Sequence, residues 1–157
     1  MSQTFTDQEY QNANIILKRG PCFGTCPVYT LSVAGSGWVV YHGEDFVDIK
    51  GNHEIYISPT RAKELILTFV IQEFFSYARD YDEYDNWTDL SCTYLTLSIG
   101  GISKTASRYA HPPSYPKRLH FLETEVERVT NAVQWVGQQH LIKNDTAGAP
   151  FGSEPST

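Results

Sequence analysis

Two thiols, Cys22 and Cys26, stand with three residues between them in the run Gly20-Pro21-Cys22-Phe23-Gly24-Thr25-Cys26-Pro27-Val28-Tyr29. A pair at this spacing can pack or bridge as a structural staple. It can also act as a redox pair, one thiol exposed and the other resolving it, or join a third ligand around a soft metal. Pro27 steers Cys26 away from helical geometry, so the two thiols do not share a helical face. Along a straight strand, rising about 3.3 Å per residue, they would stand roughly 13 Å apart. A bridge needs Cα atoms about 4.4 to 6.8 Å apart. Phe23-Gly24-Thr25 therefore has to fold back for a bridge to form, and Gly24 is the residue that permits the reversal.

The third ligand is sought across a hairpin. Val28 to Val33 reads as a strand with Tyr29, Leu31 and Val33 on one face. Ala34-Gly35-Ser36-Gly37 is turn chemistry, and Trp38-Val39-Val40-Tyr41 returns. A turn centred between Gly35 and Ser36 sets His42 opposite Tyr29 and Gly43 opposite Val28. His42, Glu44 and Asp45 are then expected beside the cysteine turn, and Cys22, Cys26 and His42 become a possible metal set.

A second candidate is the loop from Asp80 to Asp89, where Asp80, Asp82, Glu83, Asp85 and Asp89 alternate with Tyr81, Tyr84 and Trp87. It lacks the turn glycine and distal Glu of an EF-hand. A solvated connection is the plain reading. The aromatics suggest a contact surface for a protein partner instead, because Tyr and Trp are enriched at interface hot spots. Tyr81, Tyr84, Trp87 and Asp89 are the residues such a surface would use. Cys92 reads as a small buried hydrophobe with no role, and His111, His120 and His140 lack mutual ligand spacing.

Charge and composition narrow the class. Twelve basic against 18 acidic residues, a net −6, leave no electropositive footprint for nucleic acid or anionic lipid. The chain starts without a basic and then apolar leader, and it has no apolar run of the roughly 18 to 20 residues that span a bilayer, so a cytoplasmic location is expected. There is no phosphate-binding glycine loop, H-E-x-x-H or G-x-S-x-G elbow, and no cofactor is expected.

These residues are positioned by elements in the order strand, hairpin, strand, helix, hairpin, helix. Ile15-Ile16-Leu17 reads as a first strand, and Glu54 to Ile57 as a strand ending at Ser58-Pro59, a natural helix start. Ala62, Leu65, Ile66, Phe69, Val70 and Phe74 recur at helical spacing. Leu95, Leu97 and Ile99 alternate into Gly100-Gly101, which turns the chain into Ile102 to Tyr109. Leu119, Leu122, Val126, Val129, Val133 and Val136 then mark a final helix that Gly137 ends. The expected fold is α+β, an antiparallel sheet of five to six strands with two helices on one face. Residues 1–12 read as a polar tail, 13–137 as one domain and 138–157 as a second tail.

The motif C-F-G-x-C-P-x-Y, the hairpin ending Tyr41-His42-Gly43, the helix, Thr88-Asp89 before an aliphatic strand, and Gly101 with Lys104 together resemble a bacterial family of domains of unknown function. The similarity runs from about Ile15 to Trp135 and implies a shared fold, with no activity to carry over. The expected function is a non-catalytic module binding a protein or small ligand through an acidic, aromatic surface. The alternative is thiol redox or soft-metal binding through Cys22 and Cys26.

Overall fold

Buried and more exposed residues alternate along the four inner strands of one six-stranded antiparallel sheet. The computed structural model describes residues 4–22, 24–77, 92–109 and 117–138. Its elements are α1 (Asp7–Gln11), β1 (Asn14–Arg19), β2 (Val28–Ala34), β3 (Trp38–Asp45), β4 (Gly51–Tyr56), α2 (Pro59–Ile71), a 3₁₀ turn (Phe74–Ser76), β5 (Cys92–Ile99), β6 (Ile102–Tyr109), α3 (Lys117–Thr130) and α4 (Val133–Val136). The strand order is β4-β3-β2-β1-β5-β6, so β1 is central and both predicted hairpins are present. The fold is α+β, as expected.

One sheet face is buried. Ile15, Leu17, Leu31, Val33, Val39, Tyr41, Leu95 and Leu97 point inward and meet Ala62, Leu65, Ile66 and Phe69 of α2 and Leu119, Leu122 and Val126 of α3. Full burial of each large apolar side chain stabilises by about 1.5 to 3 kcal/mol, and this shared face holds the helices down. The start of α2 follows its sequence signals: Ser58 is the N-cap, its hydroxyl accepting from the Arg61 N–H at 3.1 Å, and Pro59 opens the helix.

Three expectations change. Residues 7–11, assigned to a polar tail, form a helix capped by reciprocal bonds between Thr6 and Glu9. Tyr10 from this helix is buried, and a side chain at Gly35 would collide with the Tyr10 carbonyl 1.7 Å away, so the helix sits directly on the β2–β3 turn. The single final helix is two, because Asn131 adopts a left-handed φ of 55° between α3 and α4.

The third change is register. Val33 pairs with Val39, so the turn spans one residue more than a centre between Gly35 and Ser36 implies, with Gly37 at a φ of 102°. Tyr29 therefore faces Gly43, His42 faces Thr30, and an irregularity at Val28/Tyr29 sets Val28 opposite Asp45. A one-residue slip exchanges sheet faces, so His42 lies on the open face, away from Tyr29.

Candidate functional site

The disulfide and a buried ionic cluster both lie at the sheet end where β1 runs into the cysteine turn. Cys22 and Cys26 are joined by a disulfide with Cα atoms 5.7 Å apart, within the range a bridge tolerates. Gly24 has a φ of 147°, and the Cβ it lacks would stand 4.0 Å from the Cys22 sulfur. Both cysteines are half-buried and reach solvent. Asp45 lies across from Val28 at this end. The Nδ1 atom of His42 contacts Asn52 Oδ1 at 2.6 Å, and its Nε2 atom lies 4.0 Å from Glu44. Among the described residues no group of three His, Cys, Asp or Glu side chains could hold a metal ion.

Directly beneath the turn's two roots lies a buried ionic cluster that the sequence reading did not contain. The register aligns Gly43, Tyr29, Arg19, Thr93 and Arg108 in one row across β3, β2, β1, β5 and β6. Helix α3 lays Glu123 and Glu127, one turn apart, over this row. Arg19 donates from Nη1 to Thr93 Oγ1 at 3.1 Å and to Glu123 Oε1 at 2.8 Å, and from Nη2 to Glu127 Oε1 at 3.1 Å. Arg108 clamps Glu123 with two nitrogens, Nε reaching Oε2 at 2.6 Å. Tyr29 donates its hydroxyl hydrogen to Glu127.

Two guanidinium and two carboxylate charges cancel, which is the condition for burying them. Burial alone would raise the Glu123 carboxyl, but Arg108 and Arg19 outweigh it and hold the group far below the carboxylate range. Burial, reinforced by Glu127, keeps the Tyr29 phenol protonated well above its ordinary range. Burial opposes the charge on Arg19, while Glu127 and Glu123 secure it. His120, at the rim, places Nδ1 3.8 Å from Glu123. These ionisable groups are spent on one another, so the cluster works as a clamp between sheet and helix.

The family comparison matches residues 13–130 to a domain of unknown function, DUF6438. The chain belongs to the DUF6438 family. The match covers the six strands, the disulfide turn and helix α3 of this DUF6438 domain, and stops before α4. No curated protein matches the chain.

Cys92 also changes meaning. Its carbonyl accepts the Gly20 N–H at 2.8 Å, which puts it beside the root of the cysteine turn. Tyr81, Tyr84, Trp87 and Asp89 lie outside the described residues, in the segment that leads into Cys92. The cluster had a readable signal: Arg19 continues the inward row of Ile15 and Leu17, while Glu123 and Glu127 fall on the apolar stripe of α3. A shallow open groove of about 640 Å³, lined by Gln8, Asn12, Ser98 and Gly100 among others, lies at the opposite end and includes none of these residues.

Proposed function

We propose that this domain is a non-catalytic binding module whose working surface is the sheet end that carries the disulfide turn. The observation that carries this reading is Phe46. It is exposed, holds a left-handed φ of 51° with its N–H bonded to Asp45 Oδ1, and stands in the β3–β4 loop beside exposed Ile49. A bulky residue in that conformation is costly, and exposed aromatic and aliphatic side chains at a rigid loop are features of binding surfaces. Beneath it the loop is fixed to α4, Asp48 and Ile49 donating to the Val136 and Trp135 carbonyls at 3.2 and 2.9 Å. In this reading the acidic and aromatic residues Tyr81, Tyr84, Trp87 and Asp89 of the sequence also contribute to binding, and the ligand is a protein or a small molecule. Replacing Phe46 and Ile49 by Ser tests it: partner capture falls at least tenfold while the thermal transition stays near that of the parent. Unchanged capture overturns it.

The disulfide favours a second reading, thiol redox through Cys22 and Cys26. Bridges persist in oxidising compartments, whereas cytosolic ones are mostly transient and reactive. In a cytoplasmic bacterial protein the pair would cycle, reduced by a cellular dithiol that is itself oxidised to a disulfide. Its reduction potential against glutathione discriminates: a value near the cytosolic poise supports cycling, and one far below it supports a structural staple. The C-F-G-x-C-P-x-Y run is, in either reading, the family's mark.

A further inference from the structure

The chain has three cysteines, and the fold brings all of them to one sheet end. Cys22 and Cys26 form the bridge, leaving Cys92 as a thiol. The Cys92 carbonyl holds the Gly20 N–H at 2.8 Å. A Cβ on Gly20 would stand only 3.0 Å from that carbonyl oxygen, so the root of the turn lies directly against Cys92. From Gly20 to Cys22 is two residues, at most about 7 Å of extended chain. Cys22, Cys26 and Cys92 are each half-buried.

We propose that Cys92 is the third member of a thiol–disulfide exchange site and attacks the Cys22–Cys26 bridge at the Cys22 sulfur. The proposal rests on the redox reading above. Cys92 loses its proton to solvent, and its thiolate forms a bond to Cys22 Sγ. The Cys22–Cys26 bond breaks, and its electron pair leaves on Cys26, which takes up a proton. One disulfide and one thiol enter and one of each leaves, so no outside oxidant or reductant is consumed. Cys22 is the target because its chain distance to the Gly20 anchor is two residues, against six for Cys26. The turn pivots at Gly20 and Gly24 to bring the sulfurs into line. The exchange ties the turn to β5 and hands the thiol to Cys26, at the far side of the turn, where its thiolate can attack a partner's disulfide to form a mixed disulfide while the partner's second sulfur leaves as a thiol.

The test uses the full chain, purified without reductant, acid-quenched, alkylated, digested and mapped for linked peptides. Wild type is expected to contain both Cys22–Cys26 and Cys22–Cys92 linkages, the second growing as pH rises towards the thiol range near about 8.5. Cys92→Ser is expected to hold Cys22–Cys26 alone with its thermal transition retained. Cys26→Ser treated with oxidised glutathione, which is reduced to two thiols, is expected to form Cys22–Cys92. Cys22–Cys26 as the sole linkage in wild type, with no Cys22–Cys92 bridge in Cys26→Ser, overturns the exchange and leaves a redox pair standing. Alkylation of all three cysteines as thiols in wild type overturns the redox reading itself, and the exchange with it.

Discussion

Tyr29, the second residue of β2, hydrogen-bonds Glu127, 98 positions later on α3. That bond joins the strand leaving the disulfide turn to the helix covering the sheet. Arg19, from the strand entering the turn, reaches the same carboxylate at 3.1 Å. The turn is therefore clamped at both roots by one buried side chain.

Removing one charge from the clamp should cost more than removing a neutral hydrogen-bond donor from it. Arg19→Met leaves Glu127 without a cationic partner and is expected to destabilise by about 3 to 5 kcal/mol. Tyr29→Phe, which deletes one hydrogen bond to a charged group, is expected to cost about 1.5 to 3 kcal/mol. Urea unfolding of both singles and the double measures the coupling. Additive losses would show that the two side chains act independently.

The clamp predicts stability limits on both sides of neutrality. The Glu123 carboxyl is depressed in the folded state by Arg108 and Arg19, against burial. Its contribution is fully present above the ordinary carboxylate value of 4.5 and is lost as pH falls below it. Tyr29 has the opposite sign. Its phenol is raised by burial and by Glu127, so its contribution is present below the ordinary value of 10.0 and declines as pH rises past it. Burial and Asp48 push Tyr41 up to about 12, adding to the same alkaline limb. Chemical denaturation across pH should show both limbs, and Tyr29→Phe should shallow the alkaline one without touching the acid one.

The disulfide closes a loop too short to dominate stability. Replacing Cys22 and Cys26 together by Ala is expected to lower stability by about 2 kcal/mol, a Tm fall of roughly 4 to 8 °C for a domain of this size. Scanning calorimetry checks it. A loss of cooperative unfolding would show instead that the bridge is required for the fold.

Gly43 is predicted to be intolerant of any side chain. A Cβ there would stand 2.4 Å from the Tyr41 hydroxyl and 2.5 Å from the Ile49 carbonyl, which Tyr41 itself bonds at 2.8 Å. Tyr41 is also stacked on Trp135, centroids 4.8 Å apart. Gly43→Ala should cost about 1 to 3 kcal/mol by overpacking and loosen the β3–β4 loop, read as faster amide exchange at Asp48 and Ile49.

The fold was legible because period and punctuation agree. Leu95, Leu97 and Ile99 alternate into Gly100-Gly101, and Ser58-Pro59 starts a helix whose apolar stripe is continuous. Register was less legible, since the extra residue in the Gly35-Ser36-Gly37 turn is set by packing against α1 and β4. Gly35 donates to the Ala13 carbonyl, and the Gly37 carbonyl accepts from Ile57, both at 2.8 Å. The buried clamp was hidden for a different reason. Arg19, Arg108, Glu123 and Glu127 are charged types that normally face water, and only their mutual contact, across 104 to 108 positions of chain for Arg19, makes the inward positions tolerable.

The central claim, that the disulfide end of the sheet is the binding surface, is tested most directly by a photoreactive phenylalanine analogue placed at Phe46 and, as a control, at Glu64 on α2. Irradiation in the source cells is expected to give a discrete adduct from position 46 and none from position 64. Adducts from position 64 with none from position 46 would contradict the account.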